Sequence, residues 1–172
     1  MEGAAGRVYF SALAELLPKE AAFQGRGRGA DAGPFNQMLN YGYGILTQEL
    51  VRLCAKAKLD PYIGVMHADG YDRPSLVYDL EEPFRAGVEE TVFKLFSRRR
   101  IQVEHHFTPI SQGTQLSGEG KRLLSDAFHS AQERREKGRS PKMRMRDLVS
   151  GLARELGAFG EEEEPVVLVG HA

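Results

Sequence analysis

The sequence predicts a mostly α-helical chain that forms a single helical domain. Two observations predict it. Apolar residues recur at helical spacing over most of the length, and proline, serine or glycine stands where these patterns start or stop. With 172 residues the chain is long enough for one domain with a proper core, and it holds no internal repeats. The helical domain is expected over residues 1–160, followed by an acidic and then apolar tail over residues 161–172.

Residues 2–17 read as the first helix, with Val8, Leu13, Leu16 and Leu17 broadly on one side and Pro18 ending it. Glu2 stands at its very beginning, where the helix dipole favours a carboxylate. Residues 24–34, Gln-Gly-Arg-Gly-Arg-Gly-Ala-Asp-Ala-Gly-Pro, read as a flexible loop in which Arg26 and Arg28 have no fixed local structure. Pro34 opens the second helix at a first-turn position, and the helix runs to about Lys56. Leu39, Tyr43, Leu46, Leu50, Leu53 and Cys54 mark its buried stripe. Asparagine lowers helix propensity, so Asn36 and Asn40, one turn apart, imply a task. Bonding to the backbone of a neighbouring segment ranks first, and positioning a histidine or DNA second. Gly42 and Gly44 suggest close helix packing.

The most informative stretch runs over residues 64–85. A short apolar run ends in His67, a polar loop with glycine and proline follows, and Ser75-Leu-Val-Tyr-Asp-Leu-Glu-Glu starts a helix with Ser75 as N-cap. Leu76, Leu80 and Phe84 recur at helical spacing. Asp79 and Glu82 are three apart and share a face, and Arg85 continues the stripe from Glu82. Pro83 has no N–H to bond back to Asp79, so the helix is expected to kink within this acidic stripe; a straight helix with Pro83 in its first turn is the compatible alternative. One imidazole, two carboxylates and a guanidinium thus converge. The plain alternative is a hydrogen-bonded structural histidine beside acids that merely favour the helix dipole.

Val88, Thr91, Val92, Leu95 and Phe96 carry the third helix to Arg98. Residues 101–116 read as irregular, with Val103 and Phe107 in a short extended pair. Glu104-His105-His106 reads as a solvated loop, because adjacent histidines point apart in an extended chain. Ser117 starts a further helix with Leu123, Leu124, Ala127 and Phe128 inward. Ser140-Pro141 caps a last one, whose apolar face is Met145, Leu148, Val149, Leu152 and Leu156, ended by Gly157 and Gly160. The tail reads as disordered or as a strand for a partner.

Cys54 is the single cysteine; it lies in an apolar helical pattern, which makes it a buried structural thiol and excludes an internal disulfide and a cysteine-ligated zinc. No apolar run approaches the roughly 18 residues of a membrane span, and the start does not read as a signal peptide. A soluble, cytoplasmic chain is expected. The net charge is −1, but four glutamates at 161–164 hide a basic remainder. Arg98, Arg99 and Arg100 cluster, as do seven Lys or Arg within residues 134–146. Such clusters are either solvated helix ends or phosphate-binding surface.

His67 followed by Ser75-Leu-Val-Tyr-Asp79-Leu-Glu-Glu82-Pro-Phe-Arg85 resembles the signature of the CRISPR adaptation integrase family, Cas one. Asn36-Gln-Met-Leu-Asn40-Tyr-Gly-Tyr-Gly-Ile-Leu46 resembles its Asn-x-x-Leu-Asn-Tyr-Gly-Tyr-x-x-Leu helix. Leu59-Asp-Pro-Tyr-Ile-Gly64 resembles its lead into the histidine, and Glu2-Gly-Ala-Ala-Gly-Arg-Val-Tyr9-Phe10 its Glu-Gly-x-x-Ala-x-x-Tyr-Phe block. The blocks stand in the right order and spacing from residue 2 to about residue 96, which makes the match specific where any one alone is weak.

The resemblance implies the helical catalytic domain of that family, without the β-rich N-terminal domain through which its members dimerise. It implies a divalent metal, Mn²⁺ or Mg²⁺, on Glu2, His67 and Glu82, with Asp79 as a neighbouring member of the site. The family often has aspartate at the position of Glu82, and glutamate reaches one methylene further. Arg85 becomes a phosphate clamp, Tyr78 a residue that stacks or bonds nearby, and Arg26, Arg28, Arg98, Arg99 and Arg100 contacts to DNA. The implied reaction is attack of a DNA 3′-hydroxyl on a phosphodiester at the edge of a CRISPR repeat, with related endonuclease activity. The implied partners are double-stranded DNA, as prespacer and repeat, a Cas two subunit, and a second copy if the N-terminal domain is supplied, with no membrane. The runner-up is a catalytically silent DNA-binding or assembly module of the same adaptation complex.

Overall fold

A computed structural model describes residues 2–27, 29, 32–63, 73–134 and 138–161, without the side chains of residues 2, 3, 5 and 158–161. The described residues form seven helices and one hairpin: α1 (Glu2–Leu16), α2 (Gly33–Lys56), α3 (Ser75–Glu81), α4 (Arg85–Ser97), α5 (Val103–His106), β1 (Phe107–Ile110), β2 (Gly113–Leu116), α6 (Gly118–Glu133) and α7 (Pro141–Glu161). Short 3₁₀ turns stand at Lys19–Ala21 and Glu82–Phe84.

The longest helix, α2, is the axis of the packing. It meets α3, α4, α6, α7 and β2, so most of its sides are walled. Leu39, Leu46, Leu50 and Cys54 of the expected stripe are buried, joined by Phe35 and Met38. Each such Leu or Phe contributes roughly 1.5–3 kcal/mol on burial. Gly42 is what lets α4 approach: a Cβ there would lie 2.6 Å from Cγ1 of the buried Val88. Gly44 has open space around it, so the packing role expected for both glycines belongs to Gly42 alone. Aromatic rings step across the core from Phe10 through Phe23 and Phe35 to Phe96, with neighbouring centroids 4.7–6.0 Å apart.

Several local expectations change. On α1, Val8 and Leu16 are 72% and 69% exposed, and the inward face is Phe10, Leu13 and Ala14, with Leu17 following just past the helix end. Ser75 is not an N-cap; it is the first helical residue, behind Pro74, and its hydroxyl donates to the Arg73 carbonyl. Residues 103–116 form regular structure where the sequence reads as irregular. Val103 starts a single helical turn, in which the His105 and His106 amides both donate to the Gln102 carbonyl. An antiparallel hairpin follows, pairing Phe107 with Leu116 and Ile110 with Gly113. Gln37 on α2 fixes that hairpin by donating to the Thr114 carbonyl at 2.6 Å. Helix α7 runs through Gly157 and Gly160 to Glu161. Its Met145 and Val149 are buried, but Leu148 and Leu156 are 40% and 48% exposed. Ser117 does cap α6, accepting from the Gly120 amide.

Candidate active site

Pro83 shapes the site. Lacking an N–H, it cannot continue the α-helical ladder, so α3 stops at Glu81, a 3₁₀ turn spans Glu82–Phe84, and α4 resumes at Arg85. The break turns two adjacent glutamates opposite ways. The Glu81 side chain is 2% exposed and that of Glu82 46%. Arg85 bridges them: one guanidinium nitrogen lies 2.8 Å from Glu82 Oε1 and the other 3.6 Å from Glu81 Oε2. Asp79 lies one turn before Glu82 on α3.

Behind this break a polar network joins α1, α2, α3 and α4. The single Thr47 hydroxyl proton lies within reach of both Glu81 Oε1 and the Tyr43 carbonyl, the latter at 3.0 Å. Burial pushes the Glu81 carboxyl above its usual range; the Thr47 hydrogen bond and then the Arg85 charge pull it part of the way back. Tyr43 donates to Glu89 Oε1 at 2.6 Å, and Tyr9 donates to Glu89 Oε2 at 2.8 Å. The Tyr43 ring also lies within cation–π range of two guanidiniums, Arg26 at 5.3 Å and Arg85 at 5.6 Å from its centroid. Desolvation, then the bond to Glu89, raises both phenols, that of Tyr9 to about 12 and that of Tyr43 further.

Arg26 is not the unfixed loop residue the glycine-rich sequence suggests. Its guanidinium donates to Asn36 Oδ1 at 2.8 Å and to Asn40 Oδ1 at 2.9 Å. Asn36, 3% exposed, also bonds the carbonyls of Gly25 and Ala32 and the amide of Gly27. The backbone-bonding task expected of the asparagine pair is therefore the one observed.

Of the expected site residues, Glu82 and Arg85 meet. His67 and Arg28 lie outside the described residues, as does the side chain of Glu2, whose backbone opens α1. Among the described residues no three His, Cys, Asp or Glu side chains gather. Two carboxylates and one imidazole, the donor set the resemblance implies, are of a chemical kind that suits Mn²⁺, or Mg²⁺ with retained waters. Tyr78 is partly buried on α3. Arg98, Arg99 and Arg100 follow the C-terminus of α4, all exposed, with Arg99 in the left-handed region at φ 51°.

Sequence reasoning missed Glu81, Thr47 and Glu89. A signal for Glu81 existed. Leu76, Val77 and Leu80 are the buried face of α3, and Glu81 stands four after Val77, on that same face. Thr47 and Glu89 carry no comparable local signal, since each is defined by what it meets across α2 and α4.

The fold and the break define a helical domain that presents paired carboxylates and a guanidinium at a proline-interrupted helix. The family model described as "CRISPR associated protein Cas1" matches residues 1–130, and the chain belongs to that family. A CRISPR-associated endonuclease Cas1 of Archaeoglobus fulgidus is 35% identical over 167 residues, covering 92% of this chain and 48% of that protein. One from Thermus thermophilus is 42% identical over 104 residues, 60% of this chain and 31% of that protein. Among solved structures, a CAS1 protein from Thermotoga maritima superposes with a TM-score of 0.76 at 28% identity, over 95% of this chain and 51% of that one. A casposase bound to integration product gives 0.81 at 26% identity, over 95% of this chain and 47% of that one. The chain thus spans about half the length of these relatives or less. No helix among the described residues is long and apolar enough to cross a membrane.

Proposed function

We propose that the chain is the catalytic part of a CRISPR spacer-acquisition integrase, joining a DNA 3′-hydroxyl to a repeat phosphodiester, with related DNA endonuclease activity. The observation that carries this reading is Glu82 and Arg85 in contact at 2.8 Å, at a proline break, in a member of the Cas1 family. The casposase neighbour is described as bound to integration product, which favours strand transfer as the reaction class.

In this reading Glu2, His67 and Glu82 hold Mn²⁺ or Mg²⁺, with Asp79 beside them. Such an ion, when bound, neutralises the attacked phosphate and stabilises the leaving oxygen. Arg85 supplies a second positive group at the same phosphate. Its Nε is buried without a partner among the described residues, so it keeps a donor in reserve. Arg26, Arg28, Tyr78, Arg98, Arg99 and Arg100 face the DNA backbone, which is sequence-independent and salt-sensitive binding. Prespacer and repeat duplexes are the substrates, a Cas2 subunit is the partner, and a second copy joins where the rest of the relatives' length is supplied.

The test is strand transfer on branched DNA with Mn²⁺, beside a thermal melt. His67→Ala and Glu82→Ala should each abolish transfer while the melting temperature changes little, because the sequence pattern predicts a polar loop at His67 and the half-exposed Glu82 carboxylate fills no core volume. Variants as active per folded molecule as the parent would refute the ligand assignment. An inactive parent that still binds duplex DNA would favour the silent assembly module.

A further inference from the structure

Glu89 is half-buried on α4, and among the described residues no Lys, Arg or His pairs with it. Its two oxygens are taken by phenols from two other helices, Oε1 by Tyr43 of α2 at 2.6 Å and Oε2 by Tyr9 of α1 at 2.8 Å. Hydroxyls donating to a carboxylate make charge-assisted bonds, the stronger kind. Tyr43 fixes the carboxylate from the partly buried side, and its ring lies 5.6 Å from the Arg85 guanidinium. The carboxylate is thereby tied to the wall of the acidic break and keeps one oxygen for α1.

What Glu89 holds through Tyr9 is the start of α1. From Phe10 onward that helix is seated by apolar packing, through Phe10, Leu13 and Ala14. Before Phe10 it is not. Ala4, Arg7 and Val8 are exposed, and Gly6 has open space around it. Among the described residues, Tyr9 is the first of α1 with a hydrogen bond to another element. Helices draw most of their stability from tertiary packing, so this bond carries the opening turns. Glu2 stands seven residues before Tyr9, about 10 Å along the axis. Seven residues are close to two turns, so positions 2 and 9 share a side of the helix. Glu82 likewise stands seven residues before Glu89. A tilt of about 10° at the Tyr9 contact displaces position 2 by about 2 Å, whereas a functional ligand has to be held to within about 0.5 Å.

We propose that Glu89 is a positioning residue for the metal site: by holding Tyr9 it seats the opening turns of α1 against α4 and so sets Glu2 level with Glu82. The proposal rests on the assignment of Glu2 and Glu82 as ligands made above. Glu89 acts through α1 and touches neither metal nor DNA. Tyr9→Phe keeps the ring, changes no charge and removes only the hydroxyl, so a loss of metal binding in that variant comes from placement. Glu89→Gln offers one acceptor oxygen to two donating phenols.

The experiment measures two quantities on the full chain without DNA: Mn²⁺ affinity by water-proton relaxation, and amide hydrogen exchange over residues 6–9 of α1. Tyr9→Phe and Glu89→Gln should each speed that exchange and weaken Mn²⁺ binding about threefold or more, with little change in melting temperature. Combining them should add little beyond Glu89→Gln, because both remove the same contact. Val8→Ala, exposed on the same helix, should change neither quantity. Unchanged exchange in Tyr9→Phe would overturn the proposal, as would faster exchange with Mn²⁺ affinity intact. Lower melting with Mn²⁺ affinity kept per folded molecule would do so too, since that is the mark of a bond that only stabilises the fold. Glu2→Ala separates the two readings. If it leaves Mn²⁺ affinity unchanged, the ligand assignment is what fails, and exchange in Tyr9→Phe alone then decides whether Glu89 seats α1.

Discussion

Glu81 holds its carboxylate 3.6 Å from the Arg85 guanidinium across one helical turn, with the glutamate side chain 2% exposed and the arginine 41%. The pair is asymmetric. Arg85 keeps water and the closer partner Glu82, whereas Glu81 has, among the described residues, Thr47 and Arg85 against the cost of its burial. Replacing a buried ion pair by apolar side chains of similar volume is often neutral or stabilising, and removing one partner is costly when the other is left buried and uncompensated; here the partner that stays, Arg85, keeps water and Glu82.

Glu81→Met is therefore expected to leave stability unchanged or to raise it. Thr47→Val should do the reverse, because it strips a hydrogen bond from a buried carboxylate that stays; a loss of about 1–3 kcal/mol is expected. Urea unfolding of the two variants beside the parent is the measurement. A Glu81→Met protein less stable than Thr47→Val would show that the glutamate holds the α2–α3 contact together by itself.

The phenols of Tyr9 and Tyr43 share one carboxylate, Glu89, and are both raised, Tyr9 to about 12. An unfolded tyrosine loses its proton near pH 10. Between about pH 10 and 12 the unfolded chain therefore binds fewer protons than the folded one at these two positions, so their effect is to lower stability as pH rises. Absorbance of tyrosinate near 295 nm should show two tyrosines lagging in the folded protein. Glu89→Gln removes the negative acceptor and should shift both back toward 10. Unshifted curves would leave burial as the whole cause.

Asn36 makes four hydrogen bonds to the Arg26 loop and to its own helix start. Asn36→Ala leaves the carbonyl of Gly25 and the amide of Gly27 without that partner and frees one arm of Arg26. A loss of about 2 kcal/mol or more is expected, together with faster tryptic cleavage after Arg26. Asn40→Ala, which keeps the four bonds of Asn36, should do less. Equal melting of the two variants would mean that the loop is held by the Arg26–Tyr43 ring contact instead.

Helix periodicity was enough to place α2, α4 and α6, because their buried residues recur every three or four positions and each has a proline, glycine or serine boundary. The break at Pro83 was equally legible, since a missing N–H is a local property. So was the pairing of Glu82 with Arg85, three residues apart. Where two faces of a helix are both partly apolar, as on α1 and α7, periodicity does not choose between them; the neighbours do, and they left Val8, Leu16 and Leu156 outward. The division of labour between Glu81 and Glu82 was decided by tertiary structure. Helical spacing puts Glu81 on the buried face with Val77, but it is the approach of Thr47 on α2 that gives its carboxylate a partner there. The same holds for Glu89, whose two tyrosine donors come from positions 9 and 43, far from it in the chain. Sequence fixes what happens within a turn or two of helix, where the chain itself sets the spacing. Contacts between helices depend on how those helices pack, and that is where the polar network behind the break is made.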